Sequence, residues 1–170
     1  MSLDSTILLN PKPPWILWLG TRIRESLSTE ELLAERGITA RVLRGKRMRT
    51  KQDLFEEFAL HLSLPDYFGR NWDALADCLE DLEWLQGFAY AVVIDGANEV
   101  LLDEPADQLN LFVQLIDRVA ANWAEPVTLG EDWDRPAIPF HWVLRDSPEG
   151  RTNLEARLGS VIPTDISFGP

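Results

Sequence analysis

The sequence predicts an α/β protein in which helices pack on a parallel sheet of three or four strands, with extended N- and C-termini. The chain has 170 residues, of which 45% are hydrophobic and 26% are charged. These values are typical of one globular domain with a sizeable core. Short apolar runs alternate with segments of helical periodicity, an order that favours β–α–β units and a parallel sheet.

The N-terminal elements begin with an apolar run at residues 15–19, which predicts a short buried strand. Ser28 and Glu31 have the spacing of a capping box and mark the start of a helix. Gly37 is the expected stop of that helix. Residues 39–43 are predicted to form the next strand.

The middle of the chain supplies two helices and a second central strand. Thr50 caps a helix whose apolar residues recur at helical spacing. A turn at residues 64–69 precedes a helix that Asn71 caps and that runs to about Leu82. Residues 90–94 form a continuous apolar run, which is typical of a parallel strand buried on both faces.

The C-terminal elements are a long helix, a loop, a strand and a polar end. The pattern predicts the helix over about 107–123, the loop over 124–139, the strand over 140–144 and a short helix over 153–158. The chain is therefore divided into an N-terminal extension (1–40) that adds a strand and a helix, a central domain (41–145) and a C-terminal tail (146–170).

The charge of the chain is concentrated in one segment. The net charge is −12, and residues 66–117 carry twelve acidic residues against Arg70 alone. Such a segment repels phosphate, so general nucleic-acid binding and anionic membranes are excluded as partners and a basic protein is favoured. Residues 41–51 are the opposite, with six basic residues and no acidic one, and could bear a partner of their own.

The helix that Asn71 caps has two different faces. Leu75, Cys78 and Leu79 share an apolar face that should pack on the sheet. The other face carries acidic residues four positions apart, with one further carboxylate beside them: Asp73, Asp77, Asp81 and Glu80. Like charges at this spacing destabilise a helix by a few tenths of a kcal/mol per pair. An uncompensated row of carboxylates is a local inconsistency of the kind that marks a functional site.

An enzyme is the less favoured interpretation. Asp73 and Asp77 lie on adjacent turns of an exposed face. Two carboxylates in equally exposed environments are not differentiated into a general acid and a general base. His61 and His141 are the only histidines and lie far from this pair in sequence, so both are interpreted as structural. Cys78 shares the apolar face and is interpreted as a core residue. We therefore expect no catalytic residue, no metal and no cofactor.

The cysteine count and the N-terminal sequence give an expectation for the cellular compartment of the protein. A single cysteine excludes an intrachain disulfide. The start of the chain lacks a positively charged leader, and the apolar run at 15–19 is too short for a signal peptide or a membrane span. We expect a cytoplasmic protein.

Residues 64–79, with the sequence LPDYFGRNWDALADCL, carry a resemblance to a known family. This run resembles the Leu-Pro-acidic-Tyr-aromatic-Gly turn and the Asn-x-Asp-Ala-Leu-x-Asp-Cys-Leu helix of the barstar family, which inhibits barnase-type ribonucleases. The order of elements resembles that family from Arg41 to Leu144. The resemblance implies a barstar-like fold whose turn and motif helix plug the nuclease active site.

The resemblance also implies a set of contact residues. Tyr67 matches the aromatic contact, Asp73 and Asp77 match the inhibitory carboxylates with Asp77 as the central anchor, and Gly69 and Asn71 shape the junction. The remaining expected contacts are Asp66, Phe68, Ala76, Glu80 and, on the long helix, Asp117. Two adjacent aromatics in the turn cannot both face the core easily, so we expect one to be exposed. Ala76 stands where barstar carries a tryptophan.

The functional hypothesis is a protein inhibitor of a basic secreted or toxin ribonuclease; the sequence leaves the oligomeric state open, with a monomer favoured. The alternative is a non-enzymatic binding module, or an immunity protein, for another basic protein or toxin, since folds are reused for different partners.

Overall fold

One parallel sheet organises the computed structural model, which describes residues 3–20, 28–159 and 163–167. Its strands, numbered along the chain, lie in the order β1-β6-β2-β5-β4-β3, and neighbouring strands are parallel. Five strands have four or more residues, and a two-residue strand completes one edge. The strands are β1 (Leu3–Asp4), β2 (Ile16–Gly20), β3 (Thr39–Arg44), β4 (Tyr90–Asp95), β5 (Phe140–Asp146) and β6 (Thr164–Ser167).

Five α-helices connect these strands within the described residues. They are α1 (Thr29–Ala34), α2 (Lys51–His61), α3 (Trp72–Asp81), α4 (Ala106–Ala124) and α5 (Pro148–Leu158). The predicted capping box is confirmed: Glu31 N donates to Ser28 Oγ at 3.2 Å, and Ser28 N donates to Glu31 Oε2 at 2.8 Å. Gly37 follows α1 with φ of 77°, the left-handed conformation that favours glycine.

The sheet is wider than predicted, because both ends of the chain join it. The expected strand near residues 15–19 is confirmed as β2, which pairs with β5. The C-terminal segment is more ordered than the predicted short helix, since α5 begins at Pro148 and β6 then pairs with β2. The sheet of three or four strands is therefore corrected to one of five strands plus β1.

The two faces of the sheet are covered unequally. Helices α2–α5 cover one face around an aromatic core that includes Phe58, Phe112, Phe140 and Trp142. The other face carries a smaller cluster that includes Leu8, Leu17 and Leu33. Alternation along β5 directs Trp142 into the first cluster and its neighbour Val143 into the second.

The outer edge of β3 is closed by side chains. Glu30 Oε1 accepts from the backbone N of Val42 at 3.0 Å, and Glu57 Oε1 accepts from that of Arg44 at 2.9 Å. The Arg44 guanidinium also donates to both oxygens of Glu57. These bonds occupy edge groups that could otherwise pair with another chain.

The basic run at 41–51 is partly neutralised by the fold. Arg44 pairs with Glu57, and Arg49 pairs with Asp103 at 2.7 Å and with Glu99. Within the described residues, two of its six basic side chains thus form ion pairs inside the molecule.

Candidate protein-binding surface

Helix α3 is fixed at its ends and along its apolar face. Asn71 Oδ1 accepts from Ala74 N at 2.9 Å, which satisfies one of the free amides of the first turn. Leu75 and Leu79 are fully buried. Trp123 Nε1, on the neighbouring α4, donates to the Leu79 carbonyl at 2.8 Å. The helix is therefore a rigid base for the side chains on its outer face.

The outer face of α3 presents three aspartates. Asp73, Asp77 and Asp81 are all exposed, each four residues from the next. In the part of the chain that the structure describes, no ion pair reaches any of the three. Asp73 lies in the first turn, where the helix dipole stabilises a negative charge. Asp77 and Asp81 lie beyond that turn and lack this stabilisation.

Glu80 differs from the other carboxylates of α3. Its Oε1 accepts from Asn122 Nδ2 at 2.8 Å and lies 3.8 Å from Arg118 Nε. Both partners belong to α4, so Glu80 links the two helices. The expectation that it is an uncompensated member of the acidic row is corrected.

The single arginine of the acidic segment does not neutralise the helix either. Arg70 Nε donates to Glu56 Oε1, on α2, at 2.6 Å. The nearest cation in sequence is therefore directed to another element.

The turn before α3 separates its two aromatic residues. Phe68 is buried and packs edge-on against Phe55, with ring centroids 6.0 Å apart. Tyr67 is 74% exposed, which confirms that one of the pair faces solvent. Partial loss of hydration, and then the charges of Asp81 and Glu83, raise the pKa of Tyr67 above its ordinary value. The phenol is neutral and can donate a hydrogen bond.

Two predicted contact residues lie inside the molecule. Phe68 and Ala76 are each only 4% exposed and belong to the main core cluster. Ala76 lies one turn after Trp72, on the side of α3 that faces the core. Because of this position on the helix, its side chain does not reach the surface. Neither side chain is therefore at the surface of the free protein, and direct contact of these two residues with a partner stays a prediction.

The other predicted residues lie at the surface. Asp66 and Gly69 are exposed in the turn. A Cβ at Gly69 would lie 3.1 Å from Asn71 Nδ2, so the glycine leaves room for the cap. Asp117 is exposed on α4, where partial desolvation raises the pKa of its carboxyl group.

Sequence reasoning omitted Asp81 and Glu83 from the candidate contacts. Both side chains are exposed, as Tyr67 is, and their charges act on its phenol, so we group Tyr67 with the aspartates of α3. The four-residue spacing of Asp73, Asp77 and Asp81 was the available signal. We call this surface, made of Tyr67, Asp73, Asp77 and Asp81, the acidic ridge.

Carboxylates at these positions are hydrogen-bond acceptors that match arginine and lysine.

Cys78 is not suited to nucleophilic attack, because burial, and then the charges of Asp77 and Asp81, raise the pKa of its thiol. Within the described ranges, no group of three or more histidine, cysteine, aspartate or glutamate residues is arranged to hold a metal ion. No described helix combines the length and apolar character needed to cross a membrane.

The described geometry can be set beside a match to a known protein family. A family model described as Barstar (barnase inhibitor) matches residues 38–145. The match includes β3, α2, α3, β4, α4 and nearly all of β5, together with the whole acidic ridge. The strands β1, β2 and β6 and the helices α1 and α5 lie outside it.

Proposed function

The chain belongs to the barstar family, and on that premise we propose that it inhibits a barnase-type ribonuclease by inserting the acidic ridge into the basic active site. The partner is a basic ribonuclease that is secreted or used as a toxin. The place of action is the cytoplasm, where such an enzyme must be neutralised.

The observation that carries the proposal is the exposure of Asp73 and Asp77, without an ion-pair partner in the described part of the chain, beside the exposed Tyr67. Aspartates along a rigid helix can occupy positions that RNA phosphates take in a nuclease. The arginine and lysine side chains that bind phosphate then bind carboxylate instead. Tyr67 adds an aromatic anchor of the type enriched at interface hot spots.

Energetics favour a charged partner over an apolar one. Burying a carboxylate costs several kcal/mol unless a cation and hydrogen bonds compensate it. A partner that covered Asp77 without a cation would therefore bind poorly. The ridge thus selects for basic surfaces and accelerates association with them.

The alternative partner is another basic protein or toxin. The observation that favours it is Ala76, which is buried where barstar carries a tryptophan. Part of the contact surface therefore differs, while the two carboxylates are retained. This alternative keeps the acidic ridge as the binding site and changes only the protein that it recognises.

The test is inhibition of barnase-catalysed RNA cleavage by the wild type and by Asp77→Asn, which removes one charge and preserves size. We expect Asp77→Asn to weaken inhibition on the order of 100-fold, in keeping with the coupling energies of close charge pairs between barnase and barstar. The matched control is Glu35→Gln, which removes one exposed charge beside α1. An equal effect of both variants would show that net charge alone is responsible and would contradict the proposal.

Barnase that is fully active in the presence of excess wild type would favour the alternative. The alternative would then be established if the wild type bound a second purified basic toxin, Asp77→Asn abolished this binding and Glu35→Gln did not.

A further inference from the structure

The segment from 125 to 139, between α4 and β5, is firmly anchored although it contains no helix or strand. Arg135 donates to the carbonyls of Trp123 and Glu125, each at 3.1 Å, and to that of Asn122 at 3.1 Å. Its guanidinium also lies over the Trp123 ring, 4.4 Å from the centroid. These contacts attach the base of the segment to the last turn of α4.

The tip of the segment also has a defined shape. Val127 and Arg135 form an antiparallel bridge. Between them, the Asp134 carboxylate accepts from the backbone N of Leu129 and of Gly130, each at 2.8 Å. These backbone hydrogen bonds lower the pKa of the Asp134 carboxyl group, so it is ionised and holds the tip at neutral pH.

This ordered tip exposes two large apolar side chains to solvent. Leu129 is 72% exposed and Trp133 is 65% exposed. The adjacent Glu131 and Asp132 are exposed as well. Leaving a tryptophan in water forgoes the free energy of burying it, and a rigid exposed tryptophan beside charges has the composition of an interface hot spot.

The segment is connected to the C-terminal end of α3, where Asp81 of the ridge lies. Asn122 receives Arg135 at its carbonyl and donates through its side chain to Glu80. The C-terminal half of α3 and the base of the segment therefore share the last turn of α4. Both surfaces are acidic, so a single basic partner is complementary to the two together.

We propose that the 125–139 segment is a second contact for the basic protein that the acidic ridge binds. Trp133 and Leu129 enter an apolar depression on that protein, and Glu131 and Asp132 face the cationic groups around it. The inference rests on the proposed function and extends the contact surface beyond the turn and α3.

The experiment measures binding of purified barnase to the full-length chain by calorimetry and by dissociation kinetics. We expect Trp133→Ala to raise the Kd about tenfold, mainly through faster dissociation. Leu129→Ala should have a smaller effect in the same direction. The matched control is Leu60→Ala, because Leu60 is a comparably exposed leucine, at 67%, on α2. The thermal midpoint of each variant should match the wild type, since the altered side chains are exposed.

The outcomes separate this inference from the proposed function. If Trp133→Ala binds barnase as the wild type does while Asp77→Asn loses binding, the second contact is overturned and the inhibitor proposal stands. If Leu60→Ala weakens binding as much as Trp133→Ala, the effect is not specific to the segment and the inference is also overturned. If the wild type fails to bind barnase, the proposed function is overturned, and this inference with it.

Discussion

His141 should make the stability of this protein depend on pH between about 6.5 and about 4. The residue lies on β5, is fully buried, and packs against Trp15 with ring centroids 5.8 Å apart. Within the described residues, neither ring nitrogen makes a hydrogen bond of ordinary geometry. Burial lowers the pKa of His141 from 6.5 to about 4, although the nearby backbone of Lys12 acts in the opposite direction.

The sign and size of the effect follow from proton linkage. Below pH 6.5 the unfolded chain binds a proton at this histidine, whereas the folded chain does so only near pH 4. Acid therefore favours the unfolded state throughout that window, and stability is highest above it. Each tenfold difference in proton affinity corresponds to about 1.4 kcal/mol, so the full loss is roughly 3 kcal/mol, of which roughly 2 kcal/mol has gone by pH 5.

The assay is urea unfolding of the wild type and of His141→Leu at several pH values from 7.5 to 4.5. The leucine variant should lack this pH-dependent component. Between pH 7.5 and pH 4.5 the unfolding free energy of the wild type should therefore fall by roughly 2 kcal/mol or more beyond any fall seen in the variant. His61→Gln, which removes the other histidine, should retain the slope. Parallel curves for the wild type and His141→Leu would refute the assignment of the effect to this buried imidazole.

Three further predictions concern packing, capping and charge. Gly45→Ala should destabilise the fold by several kcal/mol in chemical unfolding, because the added Cβ would lie 1.9 Å from the Gly96 carbonyl oxygen. Gly20→Ala, whose added atom would have no described residue within 4 Å, should be nearly neutral. Asn71→Ala should lower the unfolding free energy by about 1 kcal/mol through loss of the cap on Ala74 N; an unchanged denaturation midpoint would contradict this. Association with barnase, followed by stopped flow, should slow as salt rises, since screening weakens steering, and a flat dependence would argue against an electrostatic site.

The sequence predicts the centre of the sheet better than its edges. The run that became β4 is apolar from Tyr90 to Ile94, and the run that became β5 is apolar from Phe140 to Leu144 except for His141, because both faces of a central parallel strand are covered. In β6, Thr164 and Asp165 are polar, and Ile166 is its buried apolar residue. Pairing with β2 and an ion pair from Arg151 to Asp165 support this strand. Neither contact is visible as a local pattern.

The candidate site shows the same limit. Its charges follow from spacing alone, so exposure of Asp73 and Asp77 could be predicted from the phase of the apolar face. The pairing of Glu80 could not, since Arg118 is distant in sequence and approaches only when α3 and α4 pack. The burial of Ala76 was missed because the functional match suggested the surface and alanine carries little hydrophobic signal.

The distribution of carboxylate partners gives the strongest physical reason to regard α3 as a binding element. The chain has 28 acidic residues and 16 basic ones, so some carboxylates must lack a cation. Elsewhere the fold supplies arginines to carboxylates such as Glu57 and Asp103. Arg70 and Arg118, next to α3 in sequence or in space, are directed to Glu56 and Glu80. Two cations thus lie close to the acidic ridge and pair outside it, which leaves the ridge charged in the free protein and complementary to a cation supplied by a partner.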